Sequence, residues 1–304
     1  LGRKYSLAVN SGTSALHLAL IALGIKSGDR IICPSMTFAG SAFPISYCGA
    51  VPVFIDSEEK TWNMDPELVE LAVNDLIKAG TPPKALILVQ IYGQCAQVNS
   101  ILDLCKKFNI PVIEDAAESL GATYNGKPSG SFGDISILSF NGNKIITTSG
   151  GGMLLTNNID FLEKAKYHAN QAREPVLHYE HKNIGYNYRL SNILAGLGEN
   201  QLIDLDNRVL KRKKNFLRYK ESLEILNGLE FMPIDHNGNP NYWLTCILID
   251  NKDSKITRDE LIVMFEKENI EVRPLWKPLH MQSVYKDNIF YGTKIAEELF
   301  NKGL

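Results

Sequence analysis

The first two-thirds of the chain alternates short apolar runs with helical patterns. The runs lack polar alternation, which is typical of strands buried on both faces of a sheet. The pattern predicts strands at residues 5–9, 30–33, 51–55, 85–90, 111–114, 135–140 and 152–155, and helices at residues 13–23, 66–78 and 98–108. Strand–helix–strand repetition of this kind predicts an α/β fold with a mostly parallel central sheet and helices on both faces.

The texture changes after about residue 190. A long helical stretch covers residues 192–226, and two strand-like segments, 229–232 and 242–249, flank a turn-rich stretch at 236–240. A capping box predicts a helix starting at Thr257, followed by a strand at 271–273 and a helix at 295–304. We therefore expect a large domain over residues 1–190, and a connecting helix with a small α+β domain over residues 191–304.

Composition narrows the classes of partner. The 304 residues are 44% hydrophobic and 22% charged with a net charge of −2, so neither a nucleic-acid partner nor an anionic membrane is indicated. No apolar run approaches the roughly 20 residues that span a bilayer. Five cysteines without CxxC spacing predict neither a disulfide framework nor structural zinc, and the expected location is the cytoplasm.

Residues 10–14 lie between a predicted buried strand and a predicted helix. The N–H groups and dipole of a helix N-terminus favour a phosphate group there, and Ser11, Thr13 and Ser14 add hydroxyl groups. The alternative is an ordinary helix cap, which this segment by itself favours.

Asp115 ends the predicted strand at 111–114, where ligands bind in open α/β sheets. Since burying an unpaired carboxylate is costly, it needs a cationic or protonated partner, and a protonated pyridine nitrogen would be one. The alternative is a strand-end aspartate that caps the next turn.

Lys144 leaves another predicted strand and is followed by small and glycine residues at 147–152. These surroundings differ from those of a solvated surface lysine, and a deprotonated lysine amine is a nucleophile toward aldehydes. Ser139 lies where the chain can return it to the same phosphate. The alternative is a mobile glycine-rich loop with an incidental lysine.

The order of the three segments, with Lys144 placed 29 residues after Asp115, is more specific than any one of them. With these motifs the chain resembles, over essentially its whole length, the DegT/DnrJ/EryC1/StrS family of sugar aminotransferases. The resemblance implies the fold type I of enzymes that depend on pyridoxal 5′-phosphate. It also implies that Lys144 holds the cofactor covalently and then moves a proton during catalysis.

The same resemblance implies roles for further residues around the cofactor. Thr13, Ser14 and Ser139 would hold its phosphate, Phe38 would stack on its ring, and Asp115 would pair with its nitrogen. Core packing is the alternative for Phe38. Glu118 lies where many relatives have Gln or His near the ring hydroxyl, which narrows the resemblance to a subset.

The segment 185–191 also matches a family motif. It implies that Asn187 reaches the phosphate site of a partner subunit and that Arg189 binds the carboxylate of the amino donor, a task for which its planar fork is suited. A homodimer with shared active sites follows. The alternative is a helix-entry loop with a turn asparagine.

Segments 139–148, 171–174, 177–181 and 273–277 look similar to UDP-sugar C4 aminotransferases of the bacillosamine and legionaminic-acid pathways. The implied reaction moves an amino group from L-glutamate to C4 of UDP-2-acetamido-2,6-dideoxy-4-keto-glucose. Candidates for acceptor contacts are Arg173, His178, His181, Arg273, Trp276, Lys277 and His280. Surface packing or solvated charge is the alternative for each of these residues. His178 and His181 have the spacing of half a metal site, but no further cluster of ligands accompanies them, which argues against a metal.

Three other functions compete. A dehydratase of the same fold would have His in place of Lys144, and a nicotinamide enzyme would need a GxGxxG motif that residues 10–15 do not supply. A regulator that binds DNA would need a basic patch.

The resemblance also implies that relatives extend beyond both ends of this chain, with an N-terminal arm and helix and a C-terminal strand and helix.

Overall fold

The computed structural model describes residues 1–250, 254 and 256–304, and a sheet of eight strands runs through its centre. The strands along the chain are β1 (Tyr5–Val9), β2 (Arg30–Pro34), β3 (Val51–Ile55), β4 (Ala85–Val89), β5 (Val112–Asp115), β6 (Thr123–Tyr124), β7 (Lys127–Pro128), β8 (Ile135–Ser139), β9 (Gly152–Thr156), β10 (Leu229–Phe231), β11 (Gly238–Asn239), β12 (Ile247–Ile249) and β13 (Phe290–Tyr291). The spatial order in the central sheet is β1-β9-β8-β5-β4-β2-β3-β13. Neighbouring strands are parallel, except that β9 is antiparallel to β1 and β8. The predicted mostly parallel sheet is confirmed.

Helices cover both faces of this sheet. They are α1 (Gly12–Ala22), α2 (Phe43–Tyr47), α3 (Pro66–Lys78), α4 (Val98–Lys107), α5 (Ile159–Ala169), α6 (Asn192–Ile203), α7 (Leu205–Leu223), α8 (Arg258–Lys267) and α9 (Ile295–Lys302). One apolar core joins α1 and α5 to the sheet, and a second joins α3 and α4 to it. The uninterrupted apolar strands therefore bury both faces, as all five residues of β4 do. No helix within residues 1–250 and 256–304 is both long and apolar enough to cross a membrane.

The chain after residue 190 differs in several elements from the sequence prediction. The helix predicted at 192–226 is two helices, because Asp204 ends α6 and begins α7, and its carboxylate accepts a hydrogen bond from the Asn207 side chain. The strand predicted at 242–249 is limited to β12, since Tyr242 adopts a left-handed backbone with φ of 56°. Residues 271–273 form no strand and line a cavity instead. The capping box at Thr257 is confirmed.

Two strands from the second half of the chain pair with the first half. β13 extends the central sheet beside β3, and β11 pairs with β6. β10 and β12 form a separate two-stranded sheet. These pairings cross the predicted domain boundary at residue 190. The division into two domains stays a prediction.

Gly152, at the start of β9, lies against the turn that opens α1. A Cβ atom at Gly152 would lie 2.4 Å from the Ser11 carbonyl carbon and 2.6 Å from the Gly12 nitrogen. At Gly150, two residues earlier, the nearest atom to such a Cβ would be 3.7 Å away. The close backbone contact at Gly152, which Gly150 lacks, therefore fixes the position of the N-terminus of α1.

These two glycines give a matched pair of variants. We expect Gly152→Ala to lower the free energy of unfolding by at least about 2 kcal/mol, since backbone atoms have to move to admit the methyl group. Gly150→Ala should change it by less than about 1 kcal/mol. Urea denaturation measures both values, and equal losses would contradict the close approach described here.

Candidate active site

A cavity of about 870 Å³ opens at the carboxyl ends of the parallel strands. It is bordered by the residues that start α1, by the ends of β5 and β8, and by segments from the second half of the chain. The site residues proposed from the sequence that line it are Thr13, Phe38, Asp115, Glu118, Ser139, Lys144, Arg273 and Trp276. Residues distant in sequence thus meet in one space.

Lys144 and Glu118 form an ion pair inside this cavity. The Lys144 Nζ atom lies 3.4 Å from Glu118 Oε1, and the two side chains are only 11% and 4% exposed. The Trp243 ring covers the same amine, with its centroid 4.0 Å from Nζ. Lys144 is therefore an enclosed amine, unlike the incidental lysine of a mobile loop.

Glu118 is held from a second side by the protein backbone. The Tyr92 N–H donates to Glu118 Oε2 at 2.7 Å. Burial raises the pKa of Glu118 to about 7, while the nearby Lys144 charge and the Tyr92 bond act in the opposite direction. The Lys144 and Glu118 charges therefore interact in a part of the cavity with little access to water.

Asp115 ends β5 with its carboxylate facing the cavity. Ser41 donates a hydrogen bond to Asp115 Oδ2 at 2.7 Å, and the Ala117 N–H donates to Oδ1 at 3.1 Å. Burial raises the pKa of this carboxyl group, and the Ser41, Ala117 and Lys144 interactions oppose the rise. One oxygen does cap the turn, yet the group also offers a buried acid to a ligand.

The start of α1 forms the anion-binding side of the cavity. Ser11 is the N-cap, and its Oγ accepts a bond from the Ser14 N–H at 3.0 Å. The Ser14 hydroxyl donates to Asn10 Oδ1 at 2.7 Å and does not line the cavity. Thr13 and Ser139 do line it, so the N–H groups at the helix start and these two hydroxyls remain suited to a phosphate.

An aromatic rim borders the opening of the cavity. Phe38 is 59% exposed and lies 5.8 Å from Trp276 between ring centroids, so the core-packing alternative for Phe38 is wrong. Trp276 also packs at 5.0 Å on Tyr92, whose hydroxyl accepts a hydrogen bond from the Trp276 N–H at 2.9 Å. This rim offers flat apolar surfaces to a ring-shaped ligand.

Asn187 and Arg189 lie outside the cavity of the single chain. Both are exposed, and their segment runs beside the end of β1. Asn10, which lines the cavity, donates from Nδ2 to the Asn187 carbonyl oxygen at 3.2 Å. The backbone at Asn187 therefore contacts a residue of the cavity wall, while the Asn187 and Arg189 side chains are exposed and do not line the cavity.

Other candidates from the sequence lie elsewhere. His178 is exposed and faces Glu180 at 3.2 Å, His181 bonds to the Gln171 carbonyl oxygen, and Arg173 lies over Tyr179. His280 does not line the cavity: its Nδ1 atom is 2.6 Å from Ser35 Oγ, and its ring stacks on Phe290 at 3.7 Å. The structure thus gives His280 a packing role, and its predicted acceptor contact is not seen in the single chain. Arg273 borders the outer cavity and pairs with Glu271 at 2.9 Å.

Sequence reasoning missed several residues that contact this site, namely Ser41, Tyr92, Arg212, Asn241 and Trp243. The apolar pattern predicts Trp243 inside a strand at residues 242–249, whereas the structure places it in the cavity wall. Tyr92 has a left-handed backbone with φ of 53°, a conformation that no sequence pattern announces.

Pyridoxal phosphate fits the donor set that these residues present. The helix N-terminus supplies an anion site, Asp115 supplies a buried acid for a ring nitrogen, and Lys144 supplies an enclosed amine. The cavity volume of about 870 Å³ lies within the range of about 300–1,000 Å³ typical of ligand sites.

The sequence profile of the DegT/DnrJ/EryC1/StrS aminotransferase family matches residues 1–304. EpsN of Bacillus subtilis (strain 168), which carries the provisional description of a pyridoxal phosphate-dependent aminotransferase, is 52% identical over 308 residues, covering 100% of this chain and 79% of EpsN. GDP-perosamine synthase of Caulobacter vibrioides is 38% identical over 304 residues, covering 100% of this chain and 80% of that protein. The crystal structure of a DegT DnrJ EryC1 StrS aminotransferase from Brucella abortus matches with a TM-score of 0.91 at 29% identity, covering 100% of this chain and 80% of that one.

Fold and site together define a pyridoxal phosphate-dependent sugar aminotransferase. The chain belongs to the DegT/DnrJ/EryC1/StrS aminotransferase family. The predictions of family, fold and cofactor are therefore confirmed. The narrower similarity to C4 aminotransferases of the bacillosamine and legionaminic-acid pathways stays a prediction.

The raised pKa of Glu118 makes the stability of the folded protein depend on pH. The folded protein keeps this proton up to about pH 7, whereas the unfolded chain loses it near 4.5, so the free energy of unfolding falls as the pH rises between these values. Between pH 4.5 and 8 the wild type should lose about 3 kcal/mol relative to Glu118→Gln, which cannot titrate. Urea denaturation of the cofactor-free proteins measures this difference, and parallel pH profiles would contradict it.

Proposed function

We propose that this enzyme transfers an amino group from L-glutamate to C4 of a nucleotide-linked 4-keto-6-deoxy sugar. The acceptor we infer is UDP-2-acetamido-2,6-dideoxy-4-keto-glucose. The observation that carries the proposal is the enclosed Lys144 amine, which shares one cavity with the buried acids Asp115 and Glu118 and with the helix N-terminus. An amine, an acid and an anion site in this arrangement are what transamination with pyridoxal phosphate requires.

The residues of the chain divide the work. Bound pyridoxal phosphate supplies an electron sink that stabilises negative charge on the donor carbon. Thr13, Ser139 and the N-terminus of α1 would hold the phosphate, and Asp115 would keep the ring nitrogen protonated. Lys144 Nζ would hold the cofactor and afterwards move the proton, while Glu118 faces that amine. Phe38, at the rim of the cavity, would cover one face of the ring.

The outer cavity suits a nucleotide sugar. Trp276 and Phe38 offer aromatic faces, and Arg273 brings a positive charge to the opening. A diphosphate and a base need such partners, since Arg binds phosphate oxygens in pairs and bases stack on aromatic rings. His178 and His280, which resemblance also suggested, do not line the cavity of the single chain.

A GDP-linked 4-keto-6-deoxy sugar is the second candidate acceptor. The 38% identity with GDP-perosamine synthase over the full chain favours it. Both acceptors present the same reacting carbonyl group and differ in the base and in the substituent at C2. The two candidates can therefore be distinguished by which base, uracil or guanine, the outer cavity binds.

Turnover assays test the reaction and the acceptor together. Lys144→Ala should lower turnover with glutamate by at least about 10⁴-fold, because both the covalent bond and the proton transfer are lost. Lys107→Ala, at a 63% exposed surface lysine, is the matched control and should retain wild-type turnover. Product mass and NMR with a panel of UDP- and GDP-linked keto sugars identify the acceptor. Substantial transamination by Lys144→Ala would contradict the assignment.

We further infer that two copies of the chain complete each site. Asn187 and Arg189 are exposed and do not line the cavity of their own chain, although the Asn187 carbonyl oxygen bonds to Asn10 in the cavity wall. No residue of the neighbouring α6 is buried, and Ile193 and Ile203 are 80% and 83% exposed. Apolar side chains of this kind are typical of a surface that a partner covers. In a dimer, Asn187 and Arg189 would serve the partner's phosphate and the donor carboxylate.

Mixed dimers test this shared site. Arg189→Ala should raise the KM for glutamate, by about 10- to 100-fold if a bidentate ion pair is lost. Co-expression of Arg189→Ala with the inactive Lys144→Ala should restore turnover in mixed dimers, because one of the two sites then has both native residues. Absence of any such complementation would exclude a contribution from the partner.

A further inference from the structure

Trp243 contacts the lysine amine but has no assigned role. Its side chain is 2% exposed and lies in the cavity wall, with the ring centroid 4.0 Å from Lys144 Nζ. On its other side the amine faces Glu118 at 3.4 Å. An aromatic face and a carboxylate both attract a positive charge, so the two groups form a seat for an ammonium ion.

The position of the indole ring is fixed by several hydrogen bonds. Trp243 Nε1 donates to the carbonyl oxygen of Asn143 at 2.8 Å, which is the residue directly before the lysine. Arg212 donates to the Trp243 carbonyl oxygen at 3.1 Å. Tyr242, just before, adopts its left-handed backbone, a strained conformation that persists where the surrounding contacts enforce it.

Asn241 ties together the two sides of the seat. It is fully buried, and its Nδ2 atom donates to the carbonyl oxygens of Glu118 at 2.7 Å and Leu120 at 2.9 Å. Its Oδ1 atom accepts from the Trp243 N–H at 2.9 Å. Gly93 leaves room for this amide, since a Cβ atom there would lie 1.9 Å from Asn241 Oδ1. One side chain therefore sets the separation of the carboxylate and the indole.

We propose that Trp243 is a positioning residue of the amino transfer, and that its indole face and Glu118 together hold the Lys144 amine while that amine carries a proton. The neutral amine accepts a proton from the Cα of the amino donor and becomes an ammonium ion. The electron pair of the broken Cα–H bond would pass into the electron sink that bound pyridoxal phosphate supplies. The ammonium ion then returns the same proton to the carbon two atoms from Cα, as the 1,3-proton shift of transamination requires, and is neutral again. The inference rests on the proton-transfer role proposed above for Lys144.

Fluorinated tryptophan tests the electrostatic part of this role without changing the shape of the cavity. Successive fluorine atoms weaken the negative face of the ring while the Nε1–H group remains. In the cofactor-free protein, labelling of Lys144 by an amine-reactive reagent, followed by peptide mass spectrometry, should accelerate with each fluorine, on the order of tenfold in total. Labelling of the exposed Lys107 in the same sample should not change.

The chain has three tryptophans, so a matched control assigns the effect. The fluorination series is repeated in a Trp243→Phe protein, where Trp62 and Trp276 still carry fluorine. Labelling of Lys144 in that protein should not depend on fluorine. Equal dependence in both proteins, or no dependence in the wild type, would overturn the proposal.

The loaded enzyme supplies a second readout. In single turnovers with glutamate, Trp243→Phe should stay within about threefold of the wild-type rate, whereas Trp243→Met, which keeps bulk without a π face, should be about tenfold slower. The affinity for pyridoxamine phosphate, which forms no bond to the lysine, should change less than about twofold. If the single-turnover rate and the affinity for pyridoxamine phosphate fell together, Trp243 would only shape the cavity, and the proposal would be overturned. Failure of the acceptor assignment would leave this glutamate reaction intact, so the two failures are distinguishable.

Discussion

The burial of carboxylates at the end of β5 is the constraint on which the site depends. Glu114 points to one side of the sheet and is satisfied by neutral donors from Gln90, Gly130, Phe132 and Ser136, among others. Asp115 points to the other side, into the cavity, with Ser41 and Ala117 as donors. Because successive side chains of a strand point to opposite faces of the sheet, Glu114 and Asp115 have different surroundings although they are adjacent in sequence. One stabilises a loop, and the other remains available to a ligand.

The cavity concentrates its charge on a small number of enclosed groups. Desolvation raises the pKa values of Asp115 and Glu118, and the Lys144 amine opposes both shifts. A bound cationic ring nitrogen would relieve the same cost at Asp115. The cofactor and the protein thus stabilise each other through charges that water does not screen.

Local pattern predicted much of this arrangement and failed where distant segments meet. The buried strands, Asp115 and Lys144 follow from periodicity and from motif order. Trp243 does not follow from them, because its position beside Lys144 depends on the hydrogen bond from its Nε1 to the Asn143 carbonyl oxygen, 100 residues away in sequence. His280 was a plausible base-binding residue by type, yet Ser35 and Phe290 engage its ring. Ser35 lies 245 residues away in sequence, so no local pattern predicts this contact.

A crystal structure with pyridoxal phosphate, fixed by borohydride reduction, tests the central claim most directly. The account predicts continuous electron density between Lys144 Nζ and the cofactor, with an Asp115 oxygen within hydrogen-bonding distance of the ring nitrogen. Cofactor attached to a different lysine, or Asp115 turned away from the ring, would contradict it.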